Sequence, residues 1–196
     1  PAGASARASL GMVPTAGSVH SLRRDSPQDT IMATNAADTL NITSGALIGP
    51  NNNQTIGATV DSGRLTAGGI TPASNSDLYI FNRTNTLTIN SRIIDNANGS
   101  SSKVRAVLTA SGGAITYVNP NASYTGGTVL NGGTLNLSHA AGSVVLPAST
   151  VPADGLIINN GTVTMNNSAG QIAAANLVTI NGGGVLNYFG DNTQAG

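Results

Sequence analysis

The chain has no cysteine and no tryptophan. It has no glutamate either: its eight acids are all aspartate, and seven of its eight bases are arginine, Lys103 being the exception. Without cysteine there is no disulfide scaffold, no thiolate metal site and no cysteine nucleophile. That absence is common in bacterial chains that cross two membranes, where an early disulfide blocks export, but cytosolic chains share it. Straight-chain residues such as Glu and Lys cover helix surfaces because they lose little freedom there, so their scarcity argues against helices. Charged residues make up 8% of the chain and cancel to zero. That leaves no basic stripe for nucleic acid and no polybasic patch for anionic lipid. The one basic pair, Arg23–Arg24, is followed by Asp25 and reads as a solvated turn. No apolar run approaches the roughly 18 residues of a membrane span. The first residues lack Met and lack a charged start leading into an apolar stretch, which is expected of a piece of a longer or processed protein.

Low charge with abundant Gly and Ser can mean disorder, but 39% of residues are hydrophobic and they are patterned. The chain is filled with Gly (25 residues), Asn, Thr, Ser, Ala, Val, Ile and Leu, a vocabulary of strands and tight turns. Segments alternating apolar and polar residues recur at 39–48, 58–70, 77–94, 103–118, 126–138, 155–167 and 177–189. Leu87 and Ile89 against Thr86, Thr88 and Asn90 show the period of two expected of a strand with one buried face. A smaller unit lies inside them: strand, Asn-Gly or Gly-Gly, strand. A single such turn signals a hairpin, which leads to an antiparallel barrel. Repeated every 20–25 residues or so, it can instead mark the corner of a solenoid coil. The recurring Thr-(Val/Leu)-x-(Met/Ile/Leu/Asn) after the turn favours stacked equivalents. On that reading aliphatic ladders fill the interior, and Asn131, Asn159, Asn160 and Asn181 sit at corners, where amide ladders satisfy polar groups. Eight or so coils at roughly 4.8 Å give a rod on the order of 40 Å long.

Residues 121–138 read NASYTGGTVLNGGTLNLS. This run resembles the autotransporter-associated β-strand repeat, also called the passenger-associated transport repeat. The resemblance is carried by Asn121, Tyr124, Thr125, Gly126, Gly127, Thr128, Asn131, Gly132, Gly133, Thr134, Leu135 and Leu137. It is good over 77–138 and weaker over about 18 to 76 and 155 to 189. Ser111–Gly112–Gly113–Ala114 and Tyr117–Val118 depart from the usual turn and Leu-x-Leu, which puts local register in question. The resemblance implies an all-β, right-handed parallel β-helix of about eight coils. It also implies the passenger region of a secreted bacterial surface protein, carried across the outer membrane by a C-terminal barrel that this sequence does not contain. Residues 1–17 are expected to be an N-terminal linker or cap, and 18–196 one β-helical domain.

Residues capable of chemistry are few. His20 and His139 are far apart and read as exposed loop residues rather than metal ligands. Asp25, Asp29 and Arg23–Arg24 form the nearest charged cluster, and Asp95 lies near Arg92, where turn capping accounts for it. Glycan cleavage needs paired carboxylates, or a base with a cation cluster. The Gly-rich turns lack the Lys and the helix of a P-loop, and no Asp-rich calcium nonapeptide occurs. Tyr79, Phe81, Tyr188 and Phe189 read as packing residues. The Asn-x-Ser/Thr sequons at Asn41, Asn82, Asn121, Asn136 and Asn160 follow from composition. The expectation is therefore a non-enzymatic stalk or adhesin without cofactor or metal, directed at a host-cell or glycan surface. A subunit that self-associates end to end into a fibre or matrix is the alternative, and a glycan-active β-helix enzyme the third reading.

Overall fold

The computed structural model describes residues 6–7, 16–23, 36–49, 52–72, 74–99, 102–140, 142–151, 154–166 and 170–188. Among them there are strands and turns and no helix. The strands fall into three rows. The first holds β1 (Ala6–Arg7), β3 (Leu22–Arg23), β5 (Ala46–Ile48), β8 (Ser76–Asn82), the start of β11 (Val104–Tyr117), the start of β12 (Thr128–Ser138), β13 (Leu156–Ile158) and β15 (Val178–Ile180). The second holds β6 (Gln54–Ile56), β9 (Asn85–Ile89), the later parts of β11 and β12, β14 (Gly161–Asn166) and β16 (Val185–Asn187). The third holds β2 (Ala16–Val19), β4 (Thr39–Ile42), β7 (Arg64–Ala67) and β10 (Arg92–Ile93). Because β11 and β12 run through two rows, the first and second rows form one 12-stranded sheet beside a 4-stranded one.

Every strand pair among the described residues is parallel. Apart from β1 with β3, paired residues lie between 20 (Ala114 with Thr134) and 33 (Ala46 with Tyr79) positions apart. The hairpin and antiparallel-barrel reading of the Asn-Gly turns is therefore excluded for these residues. Asn131–Gly133 lies inside β12, whose first half pairs with β13 and whose second half pairs with β14, both parallel. The positive φ of Gly133 (79°) bends the strand there without reversing it.

Like residues stack on like. Leu87, Ile115, Leu135, Val163 and Leu186 form one inward column; Ile89, Tyr117, Leu137 and Met165 form the next. Leu47, Ile80, Leu108, Leu130 and Ile158 line the first row, and Leu40, Leu65 and Ile93 the third. These residues form the buried core, with Leu186 partly buried against it. Each fully buried Leu, Ile or Val contributes roughly 1.5–3 kcal/mol relative to exposure. Between the inward columns of the second row runs an outward one: Thr55, Thr88, Thr116, Asn136, Thr164 and Asn187.

The register question raised by Ser111–Ala114 has a definite outcome. From Leu108 to Ala114 β11 uses six steps, where β12 uses four from Leu130 to Thr134, and the extra residues are absorbed at the corner. On its other side β11 stays in register with β8 and β9, which take the same wide corner at 82–85. Of residues 1–17, the expected linker or cap, 6–7 pair with β3 and 16–17 with β4; the remainder lies outside the described residues. The last strands leave apolar side chains open: Leu177 (58% exposed), Ile180 (50%), Val185 (43%) and Tyr188 (43%).

Two glycines test this packing. Gly127 has φ +83°, and a β-carbon there would sit inside the carbonyl oxygen of Asp154 on the next strand level. Gly142 has φ +76° but open space around it. Gly127→Ala is expected to lower stability by at least about 3 kcal/mol, and Gly142→Ala by only about 1 kcal/mol from backbone strain. Urea denaturation of the two variants side by side checks the difference.

Candidate functional site: corners, ladders and outer grooves

The residues that carry the family resemblance lie at corners and in the core. Tyr124 is buried, and its hydroxyl shares a 2.7 Å hydrogen bond with the buried Thr128 hydroxyl. Thr128 occupies an inward column between Ala106 and Leu156, so its hydroxyl needs that partner. Thr125 donates its N–H (2.9 Å) and its hydroxyl (2.6 Å) to the Asp95 carboxylate, which also accepts the Val104 N–H at 2.7 Å. Gly126 donates to the Val104 carbonyl at 2.9 Å, and a β-carbon on it would crowd that carbonyl. Asn121 donates its N–H to Asn119 Oδ1 at 2.8 Å. Thr134 pairs with Ala114 and Thr162, and Leu135 and Leu137 are fully buried. Gly132 pairs with Thr109 across the widened corner. At the same corner Asn159 Nδ2 donates to Asn131 Oδ1 (2.7 Å) and Asn181 Nδ2 donates to Asn159 Oδ1 (3.0 Å), an amide ladder of three residues. Asn160 is exposed beside it and outside it.

Other predicted positions do not converge. His20 is exposed; His139 is half-buried rather than exposed, with its N–H on Gln171 Oε1 at 2.8 Å. The described residues contain no cluster of three potential metal ligands. Asp95 caps backbone and hydroxyl groups, while Arg92 pairs with Asp61, one strand level away. Asp25, Asp29, Arg24 and Phe189 lie outside the described residues. Tyr79 and Tyr188 are not packing residues: they are 46% and 43% exposed, and Tyr79 donates to Asp77 Oδ2 at 2.7 Å. Tyr79 stands on the outward face of its strand, so no core is available to it.

Two polar networks escaped the sequence. Arg92 makes a two-pronged ion pair with Asp61, and Asn119 Nδ2 adds a 3.3 Å bond to the same carboxylate and a 2.6 Å bond to the Asn90 carbonyl. The hydrogen bond from Arg92 leads, with those from Asn119 and Asn121, in holding Asp61 down at about 2 despite partial burial. Arg105 makes a second two-pronged pair with Asp77 (2.8 and 3.0 Å). There burial pushes the Asp77 carboxyl up, but the bonds from Arg105 and Tyr79 together overcome it and leave it below its ordinary value. Burial raises the Tyr124 hydroxyl far above the ordinary tyrosine range, and Tyr117 likewise. The two ion pairs join residues 28 (Asp77 and Arg105) and 31 (Asp61 and Arg92) positions apart, and no constant spacing reveals them.

Shallow grooves lie on the outer faces of the described residues. On the first row, Tyr79, Val107, Val129 and Ile157 form an outward apolar column between the Asp77–Arg105 pair and the Asn131–Asn159–Asn181 ladder, around a space of about 430 Å³. On the third row, spaces of about 410 and 390 Å³ share Arg64, Ile94, Asn96 and Ala97. No helix among the described residues is long and apolar enough to cross a membrane. No family model, curated protein or solved structure matches the chain.

Two outcomes follow from the networks. Tyr124→Phe strands the buried Thr128 hydroxyl and is expected to cost about 1–3 kcal/mol; adding Thr128→Val is expected to restore part of the loss. A double-mutant cycle by chemical denaturation measures this. Asp61, held at about 2 against an ordinary 3.8, contributes stability that is complete above 3.8 and lost as pH falls towards 2. Asp61→Asn is therefore expected to lose stability at neutral pH and to show a shallower decline between pH 3.8 and 2, followed by thermal melting across that window.

Proposed function

We propose that this chain is a stretch of right-handed parallel β-helix, about eight coils, serving as a non-enzymatic stalk or adhesin in the passenger region of an exported bacterial surface protein. The observation that carries the reading is where the motif residues go. Tyr124, Thr125, Gly126, Gly127, Thr128, Asn131, Gly133, Leu135 and Leu137 are spent on corners, ladders and core. A motif used this way makes a scaffold rather than a reaction centre. The first row has eight strands in succession, which agrees with about eight coils. Right-handed winding is the hand that parallel crossovers take in nearly every sheet. Of the described carboxylates, Asp61, Asp77 and Asp95 are engaged by Arg92, Arg105 and backbone groups. The secreted bacterial setting rests on the family resemblance.

A second reading is end-to-end association into a fibre, for which the exposed Leu177, Ile180, Val185 and Tyr188 on the last described strands offer apolar surface. Small-angle scattering at several concentrations, with a glycan array and a cell-adhesion assay, separates the two. A concentration-independent elongated particle that adheres supports the stalk or adhesin. Mass growing with concentration supports the fibre, and a compact, isotropic particle overturns both.

A further inference from the structure

The outer face of the third row combines features that no structural role described above explains. Its inward residues Leu40, Ile42, Leu65 and Ala67 are fully buried, so Ser18, Asn41 and Thr66 stand outward in one column and Thr39, Arg64 and Arg92 in the next. Asn41 clasps Gly69 through both its amide atoms (2.7 and 2.9 Å), and Asn96 Nδ2 bonds the carbonyls of Ala67 and Gly69 (2.7 and 2.8 Å). These bonds hold up a wall that ends in Ile70, 72% exposed. Thr66, 2% exposed, lies on the floor with its hydroxyl oxygen buried and without a hydrogen-bond partner. Arg64 lines both of the adjoining spaces, so it stands where they meet. Of the other charges there, Arg92 is neutralised by Asp61, and Asp95 is engaged by Val104 and Thr125. Among the described residues the Arg64 guanidinium has no acidic partner.

An unmatched guanidinium beside an unsatisfied hydroxyl calls for a carboxylate, which a planar fork binds through two hydrogen bonds. Spacing selects the carrier. The columns repeat at about 4.8 Å along the groove, whereas an extended peptide brings a side chain to the same face only every ~6.6 Å. A chain of sugar rings repeats on the scale of the columns. Its C–H faces suit Ile70, Ile94 and Ala97, and its hydroxyls suit Ser18, Thr39, Thr66 and Asn98. We propose that this groove binds an acidic oligosaccharide, with one uronate carboxylate on Arg64 beside Thr66 and neighbouring rings in the two adjoining spaces. The proposal deepens the adhesin reading and rests on it.

The test is titration of the whole chain with hexagalacturonate and with its methyl ester, followed by amide chemical shifts in NMR. Expected are saturable binding of the acid, shifts clustered at 39–41, 64–70 and 94–98, and at least about tenfold weaker binding of the ester. Arg64→Gln is expected to weaken binding at least about tenfold, while Arg83→Gln, at an exposed arginine elsewhere, leaves it unchanged. Thr66→Val is expected to weaken binding without lowering the melting temperature, since it removes an unsatisfied buried hydroxyl. Equal binding of acid and ester, indifference to Arg64→Gln in a folded variant, no saturation, or preference for polyglutamate overturns the proposal. If hexagalacturonate fails while cells or other glycans are still bound, the groove assignment fails alone; if adhesion is blank as well, the adhesin reading fails with it.

Discussion

In-register parallel stacking is the constraint on which everything else in this molecule depends. When each strand lies in register on a parallel neighbour, every side chain must tolerate a neighbour at about 4.8 Å above and below it. An aliphatic column meets that condition by burial, as Leu87, Ile115, Leu135 and Val163 do. An amide column meets it by donating upward and accepting from below, as Asn131, Asn159 and Asn181 do. A charged column is eased where signs alternate, as Asp77 and Arg105 do in register; Arg64 and Arg92 stack as like charges, and Asp61 neutralises Arg92 from the adjoining turn.

The corners carry a second constraint. A strand that turns from one row to the next brings backbone against backbone, and at Gly113, Gly127 and Gly133 there is no room for a side chain. Carbonyls and N–H groups freed at the turn are then taken up by short side chains: Asn119 on Asn90, Asn96 on Ala67 and Gly69, Asp95 on Val104 and Thr125. The abundance of Gly, Asn and Thr is the sum of these local solutions. The first-row and third-row grooves lie on the outer faces.

Much of this was legible beforehand because the constraint acts on sequence. The alternation at 86–90 and 134–137 placed the inward Leu and Ile columns, and the repeated Asn-Gly turns placed the corners. The turn alone left hairpin and corner open, because both need the same left-handed backbone; only the pairing of both halves of β12 with parallel neighbours separates them. The ion pairs were not legible. Their partners are 28 and 31 positions apart, since loops between strands vary in length, and a pair is found only once register is known. Tyr79 was misread for a related reason: its neighbours in sequence are core residues, but it stands on the opposite face. The third-row groove depends on the wall at 68–70 and on the unsatisfied Thr66 hydroxyl at its floor, neither of which leaves a pattern along the chain.

The absence of cysteine makes the central claim directly measurable, because any introduced pair is the only pair. Thr116 and Asn136 are register partners on the outward face of the second row, 20 positions apart, within reach of a short thiol cross-link. Parallel stacking predicts rapid cross-linking in Thr116→Cys/Asn136→Cys, and little in Val129→Cys/Thr134→Cys, whose residues lie on different rows either side of the corner. Efficient cross-linking of 129 with 134 and none of 116 with 136 would mean that the chain reverses at Asn131–Gly133, and would contradict the account.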